Sequence, residues 1–369
     1  MADRPGPRLY SIAAHRGFAD ALVAGLVPRY ADPEFGLARL TLLLPSSRAM
    51  RTVSEAFIRH FGESDAPGLL MPRMAVVGDL DLDETLGSLL DPLGAGADIA
   101  PAADPTRRWL RLAELIGEER GKDAPKGSAL LRLAFEAGRA MDRLLVEEIR
   151  PEQLLENSVL DLLGDLAGHW QDSLRIFARV QARWLAELQE RGELDAAARR
   201  NALFRLAARR WKADPPPTPI VAAGVTSAAP ALAGLLRVVS ELPQGAVILP
   251  DLDLSMPADV WDELGEAGAP DAETPLARSD AVTHPQYHLK LLLNRMGVAR
   301  EEVQHWHRAG MGKGPPERSH AISSLFLPPE ASKAWVGLPS EKRSLSGVRL
   351  MQSANPEEEA QAIALMVRE

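Results

Sequence analysis

The stretch that decides the fold class is Leu40–Arg48, which reads LTLLLPSSR. Its first half, Leu40 to Leu44, predicts a strand buried on both faces, since it lacks the strict polar alternation of a half-exposed strand. Pro45 ends the strand, and Ser46 or Ser47 can cap a following helix. That helix carries four apolar residues on one face: Met50, Val53, Phe57 and Phe61. A buried strand leading directly into an amphipathic helix is the basic unit of an α/β sheet.

The same unit occurs earlier in the chain. Leu9 to Ala14 predict a buried strand, and His15-Arg16-Gly17 turn into a helix with apolar residues at helical spacing: Phe18, Leu22 and Leu26. Met74 to Val77 predict a third strand. Short apolar strands in βα order indicate a parallel sheet with helices packed on its faces.

A helical block separates these strands from a second α/β segment. From about Asp104 to Lys212 the apolar residues recur at helical intervals, and Asp214–Pro217 ends the block because consecutive prolines continue neither helix nor central strand. Three further elements are then predicted: a strand at Ile220–Ala223, a helix at Pro230–Leu242 and a strand at Ala246–Leu249. Because βα units of one domain share a core, Val221 is expected in the same sheet as Leu42.

These patterns predict four segments. Residues 1–103 form the first part of an α/β domain, residues 104–214 an α-helical insertion, and residues 215–335 the second part with C-terminal helices. Within the third segment, Pro285 to Trp306 predict a helix pair broken at Gly297, followed by a linker at residues 310–316. Residues 336–369 are interpreted as a linker and the start of a further domain.

The end of the sequence predicts a helix that is not closed. Val348 to Ala354 alternate as a strand, and Asn355 and Pro356 supply an N-cap and a first helical residue. The helix then continues to Glu369 without a closing glycine or asparagine or a basic last turn. We therefore expect this sequence to be part of a longer chain.

Composition limits the possible classes of protein. The 369 residues are 46% hydrophobic, contain no cysteine and carry a formal charge of −9. The absence of cysteine excludes a disulfide framework and an iron–sulfur site within these residues. We see neither a signal peptide nor a membrane span, so a cytoplasmic protein is expected. The acidic balance argues against a wholly basic nucleic-acid coat protein but leaves room for a local basic track.

The turn after the first strand resembles a phosphate loop only in position. A working loop reads G-x-x-x-x-G-K-[ST], since the lysine neutralises phosphate charge and the hydroxyl holds magnesium. If Gly17 is the second glycine, Ile12 stands at the first glycine, Phe18 at the lysine and Ala19 at the hydroxyl. The G-x-G-x-x-G pattern of a dinucleotide-binding fold is missing too. The loop is therefore predicted to be degenerate.

Three groups of residues are candidates for binding DNA phosphates. Ser46, Ser47 and Arg48 follow one strand, and Thr226 and Ser227 follow another, where helix N-termini can hold anions. The third group lies on one helix of the block: Arg199, Arg200, Arg209 and Arg210. Each group has an ordinary structural alternative, namely helix capping for the serines and threonine and a solvated helix face for the arginines.

Two further clusters have residue types that can bind metals. His284 and His288 have i, i+4 spacing, but Pro285 indicates that His284 is only a cap, and His305 and His307 follow farther on. The acidic residues Asp79, Asp81, Asp83 and Glu84 fit a strand leading into a helix better than a two-metal centre. No catalytic residue and no metal site is predicted in this sequence.

Short segments along the whole chain point to a family. In order they are Tyr10–Ile12, Phe18–Leu22, Leu43–Ala49, Pro72-Arg73, Gly78-Asp79, Leu194-Asp195, Ala198–Asn201, Ala222–Ala231, Gly245–Pro250, His284–Tyr287 and Pro356–Ala360. Together they resemble the N-terminal part of the B subunit of AddAB-type helicase–nucleases of α-proteobacteria, which act in double-strand-break repair and recombination.

The resemblance implies a fold and a role. Such subunits have a superfamily 1 helicase-like layout, in which a RecA-like domain (P-loop NTPase-like, here degenerate) is interrupted by a helical insertion. The iron–sulfur cluster and divalent metal of the family belong to a C-terminal nuclease domain beyond these residues. The implied partners are DNA and the A subunit, which would supply the motor, with no role for a membrane. The parent subunit resembles part of an ATP-dependent exodeoxyribonuclease.

Two other interpretations stay open on the sequence. The chain could be a nucleotide-binding, doubly wound enzyme with a degenerate phosphate loop, or a helical scaffold for protein partners. Binding of DNA without binding of ATP would favour the helicase–nuclease interpretation over the nucleotide-binding enzyme. Co-purification with a partner without DNA binding would favour the scaffold.

Overall fold

The computed structural model describes residues 6–14, 16–62, 70–78, 87, 89–90, 99–156, 168–269, 280–306, 324–343 and 350–368. The chain forms two compact units, Met1–Ala309 and Gly310–Glu369. Three features named above lie outside the described residues: the acidic cluster from Asp79 to Glu84, His307 and the linker at residues 310–316. Among the described residues, no helix combines the length and the apolar character needed to cross a bilayer.

The first unit is an α/β structure around one parallel sheet. Its six strands are β1 (Leu9–Ile12), β2 (Thr41–Leu44), β3 (Arg73–Val76), β4 (Ile220–Ala223), β5 (Gly245–Pro250) and β6 (Gln304–His305). Their order across the sheet is β3-β2-β4-β5-β1-β6, and every pair is parallel. Leu42 of β2 pairs with Val221 of β4, so the predicted sharing of one sheet by these residues is confirmed.

The strands β2, β4 and β5 are buried on both faces, where helices pack against the sheet. Helices α1 (Phe18–Tyr30) and α2 (Ser47–Gly62) follow β1 and β2 and pack against each other. Their apolar residues join the strands in one buried core that includes Leu22, Phe57 and Ile248. These contacts explain why the apolar periodicity of α1 and α2 is visible in the sequence.

Among the described residues between β3 and β4, four helices form a block. These are α3 (Pro105–Arg120), α4 (Ser128–Val146), α5 (Gly168–Arg191) and α6 (Ala196–Ala213), with short 3₁₀ turns at Gly121–Asp123 and Pro151–Leu155. The block has its own core, in which Leu115, Met141 and Trp184 are fully buried. Helix α6 also packs against α7 (Pro230–Glu241), which joins β4 to β5. The block is thus attached to the sheet through α6.

The region after β5 differs from the predicted helix pair. A short helix α8 (Ala258–Asp262) is followed by α9 (Tyr287–Met296), which ends at Gly297 with a φ of 63°. The predicted second helix is wrong, because a 3₁₀ turn at Arg300–Glu302 leads into β6 instead. Strand β6 pairs with β1, and the fully buried Trp306 donates its indole N–H to the carbonyl of Ala21 at 3.1 Å. Pairing with a distant strand therefore overrides the local helical pattern.

The described residues of the second unit include a helix, α10 (Pro356–Arg368), and 3₁₀ turns at Ala331–Trp335 and Ser340–Arg343. Asn355 caps α10 as predicted, since its side-chain oxygen accepts from the backbone N–H of Glu358 at 2.9 Å. The predicted strand is wrong for residues 350–354, while Val348 and Arg349 lie outside the described residues. A lone extended segment needs a neighbouring strand for its hydrogen bonds, and the described part of this unit contains none.

Candidate nucleic-acid interface

The carboxyl edge of the sheet contains a crevice between β2 and β4. These strands are neighbours, but β2 connects onward to β3 on one side and β4 connects to β5 on the other. Ligands of open parallel sheets bind where crossovers diverge in this way. The segments Pro45–Arg48 and Gly224–Ser227 therefore meet at one edge of the sheet, as the sequence predicts for parallel strands.

The serines after β2 act as a helix cap. The Ser46 hydroxyl oxygen accepts from the backbone N–H of Ala49 at 3.2 Å, directly before α2. Ser47 and Arg48 are exposed on the first turn of that helix. Capping therefore occupies Ser46, whereas the side chains of Ser47 and Arg48 face solvent at the carboxyl edge.

The residues after β4 do not cap the next helix. The N-cap of α7 is Ala229, which has no side-chain cap bond, and Pro230 is the first helical residue. Thr226 and Ser227 are both exposed. The capping alternative for these two residues is therefore wrong, and their hydroxyl groups lie at the edge of the crevice.

The turn after β1 has apolar residues at the positions where a working phosphate loop binds phosphate and magnesium. Ile12, at the position of the first loop glycine, is the last residue of β1 and is fully buried. The ring of Phe18 reaches the crevice: a Cβ added to Gly224 would lie 3.3 Å from it and 3.7 Å from Pro45. Apolar atoms thus occupy the place of the phosphate-binding lysine, and Ala19 beside them is buried.

The arginines of α6 do not form a single exposed track. Arg200 is only 3% exposed and donates to the carbonyl of Val77 at 3.0 Å, with its guanidinium 5.0 Å from the ring of Phe204. Arg210 donates to the carbonyl of Leu89 at 3.0 Å, whereas Arg209 is exposed and Arg199 half-buried. The solvated-face alternative is wrong for Arg200, because this side chain anchors α6 beneath the end of β3.

A pocket of about 280 Å³ brings one of these arginines together with two that were not predicted as site residues. We call it the arginine pocket, and its lining residues are Gly78, Arg139, Asp142, Arg143, Val146, Arg200 and Ser227. Arg139 and Arg143 are exposed and lie one turn apart on α4, so both point from the same face. Their i, i+4 spacing is the signal in the sequence that could have identified them.

The charge of the arginine pocket is positive. Its single carboxylate, Asp142, forms an ion pair with Arg108 at 2.8 Å, which neutralises the negative charge of Asp142. Arg139 makes only a distant contact with Glu136, at 3.7 Å and with both side chains more than half exposed. The guanidinium groups of Arg139 and Arg143 are therefore accessible to an anion, and guanidinium forks match phosphate geometry.

A buried network holds the helices around this pocket. Arg108 of α3 bridges Asp142 of α4 and Asp195, whose carboxylate is 2.9 Å away and fully buried. Asp195 also accepts from the indole of Trp184 at 3.0 Å and caps α6. The network connects four helices, so the arginines of α4 and α6 keep a defined spacing.

The histidine cluster has a structural role where it is described. The Nδ1 atom of His284 accepts from the backbone N–H of Gln286 at 3.1 Å in the turn before α9. The predicted helix cap is wrong, because the N-cap of α9 is Gln286 and among the described residues no side chain caps this helix. The ring of His288 stacks edge-on against Tyr287, with centroids 5.8 Å apart. Within the described ranges, no three carboxylate, imidazole or thiol groups are arranged to hold a metal ion.

No protein-family model and no curated protein matches the chain. The feature of the chain that bears on function is the geometry at the carboxyl edge of the sheet. Its central feature is the arginine pocket between the ends of β3 and β4.

Proposed function

We propose that the chain is a non-catalytic, RecA-like part of a helicase–nuclease subunit that holds single-stranded DNA by its phosphates during double-strand-break repair. The observation that carries this proposal is the arginine pocket. It places Arg139, Arg143 and Arg200 around one cavity beside the Ser227 hydroxyl. Arginine and hydroxyl donors at such a site bind phosphate oxygens without reading bases.

The topology supports the RecA-like assignment. A parallel sheet whose strands lie on both sides of a helical block in sequence is the layout expected for an interrupted RecA-like domain, with the block as its insertion. The replacement of the phosphate-binding lysine by Phe18 fits a domain without motor activity. On this proposal the A subunit of the complex is the motor, and this chain braces it and positions the strand in the cytoplasm.

Electrostatics limits the expected affinity. The net charge of −9 repels a polyanion at long range, so binding depends on the local arginines. We expect affinity for a single strand in the micromolar range or weaker, independent of sequence and sensitive to salt.

The test is fluorescence anisotropy with a labelled oligodeoxythymidylate at several salt concentrations. Replacing Arg139 and Arg143 by alanine is expected to flatten the slope of log affinity against log salt by about 0.7 for each phosphate that the variant no longer neutralises. The matched control replaces Arg175 and Arg179 on α5, which are also exposed and one turn apart and which do not line the pocket. The control should keep the wild-type slope.

Two outcomes would contradict the proposal. An equal decrease of affinity in both double variants would mean that binding depends only on net charge. No binding by the wild-type chain at low salt would remove the DNA-positioning role altogether.

The scaffold interpretation also has an observation in its favour. An apolar cavity of about 500 Å³ opens between α3, α4 and α5, where Trp170 is 57% exposed beside Leu174 and Phe177. Surfaces of this kind mark protein contacts. Co-purification with a protein partner, combined with absence of binding to any oligonucleotide, would favour this function over the first.

A further inference from the structure

A second pocket adjoins the arginine pocket. It has a volume of about 320 Å³ and lies between the start of α3 and the middle of α4. Arg139 and Asp142 line both pockets, so the two cavities adjoin each other along α4. The second cavity is otherwise largely apolar, with Trp109, Leu112 and Phe135 in its wall. We call it the aromatic pocket.

Its two aromatic side chains are unusually accessible. Trp109 is 38% exposed and Phe135 is 54% exposed, although both belong to helices with a well-packed core. The indole N–H of Trp109 donates to the carbonyl of Leu131 at 2.8 Å, which fixes the orientation of the ring. A ring held in place beforehand loses little conformational entropy when a flat ligand stacks on it.

We infer that the aromatic pocket receives a nucleobase of the strand whose phosphate lies in the arginine pocket. This inference rests on the proposed function and adds a stacking subsite to it. Cationic side chains next to aromatic rings are the combination with which proteins hold single strands, since every base has a π-face. The shared Arg139 places a phosphate-binding group at the entrance of the aromatic pocket.

The stacking subsite predicts a dependence on bases that phosphate binding alone lacks. The probes are an oligodeoxythymidylate and an oligomer of equal length in which tetrahydrofuran units replace all nucleosides and every phosphate is kept. The wild-type chain is expected to bind the base-free oligomer about tenfold more weakly, the contribution of a stacked base.

Variants of the aromatic residues should remove this difference. Phe135→Leu keeps an apolar side chain, whereas Trp109→Ala removes the indole and its hydrogen bond to Leu131. Each is expected to weaken binding of the base-bearing strand about five- to tenfold and to leave the base-free oligomer unaffected. The salt slope should stay at the wild-type value, because neither variant removes a charge.

The control and the adverse outcomes separate this inference from the proposed function. Trp170→Leu changes an exposed tryptophan that lines another cavity, and it should bind both oligomers as the wild type does. Circular dichroism shows whether each variant is folded. If Trp109→Ala fails to fold, the binding data for Phe135→Leu test the stacking subsite. Equal wild-type affinity for both oligomers, with the arginine dependence intact, overturns the stacking subsite alone. Absence of binding to either oligomer overturns both proposals.

Discussion

At Gly78, directly after β3, two backbone segments approach more closely than a side chain permits. A Cβ at this position would lie 1.9 Å from the carbonyl oxygen of Pro45, which follows β2. That oxygen cannot move away, because the neighbouring Leu44 carbonyl is hydrogen-bonded to Val77 at 2.8 Å. The absence of a side chain at Gly78 thus allows the ends of β2 and β3 to approach each other next to the arginine pocket.

We predict that Gly78→Ala lowers the free energy of unfolding by about 2 kcal/mol or more, as overpacking against backbone does. Gly234→Ala is the matched control, since Gly234 is exposed within α7 and a Cβ there meets no atom within 4 Å. This control should raise stability by about 0.5–1 kcal/mol, because alanine is the better helix former. Urea denaturation measures the free energy of unfolding of both variants. Equal stability of the wild type and Gly78→Ala would show that the two strand ends are farther apart.

Among the elements, α3 and α5 are joined by ion pairs. Arg111 of α3 holds the carboxylate of Glu187 with two nitrogens, at 2.9 and 2.7 Å. These hydrogen bonds lower the pKa of Glu187 below its ordinary value, and Arg183 likewise lowers the pKa of Glu118. A carboxylate whose pKa is lowered by folding stabilises the fold above its ordinary pKa of about 4.3. That contribution disappears as the pH falls through the folded-state value.

We predict that Glu187→Gln destabilises the chain by about 1 kcal/mol at neutral pH, the contribution of a well-aligned, partly buried pair. The difference from the wild type should be smaller at a pH below about 4.3 than at neutral pH, because the contribution of the carboxylate disappears as the pH falls through its lowered folded-state pKa. Urea denaturation at the two pH values provides the measurement. Glu190→Gln, an exposed change on the same helix, should match the wild type at both. A destabilisation by Glu187→Gln that is independent of pH would mean that packing, rather than charge, accounts for it.

The molecule as a whole is built around one six-stranded parallel sheet, and the turn after its first strand lacks the residues that bind phosphate. We predict that the chain neither binds nor hydrolyses ATP–magnesium at millimolar concentration, because Phe18 and Ala19 replace the lysine and the hydroxyl residue. Isothermal titration calorimetry tests the binding. The Phe18→Lys variant should remain inactive as well, since a buried strand residue, Ile12, still stands where the loop needs its first glycine. A measurable heat of ATP–magnesium binding by the wild-type chain would contradict the interpretation that this domain is not a motor.

Local sequence patterns are sufficient to predict most of the secondary-structure elements. The apolar run before Pro45 and the apolar periodicity after it suffice for β2 and α2, because hydrophobic spacing reflects which face of an element is buried. Capping is similarly local: Asn355 before α10 is recognisable because its partner, Glu358, is three residues away. Even the presence of Leu42 and Val221 in one sheet follows from strand type, since βα units of one domain share a core.

Tertiary structure decided the features that depend on residues far apart in sequence. The two-residue strand β6 exists because β1 offers it hydrogen bonds, and no local pattern records that partner. Arg200 looks like an exposed cation in the sequence, yet it is buried because the Val77 carbonyl, 123 residues away, accepts its hydrogen bond. The arginine pocket combines Gly78, α4, α6 and the turn after β4. The sequence by itself therefore determined strands β1 to β5 and the helices α1, α2 and α7 that follow β1, β2 and β4, while folding alone brought the charged groups of the candidate site together.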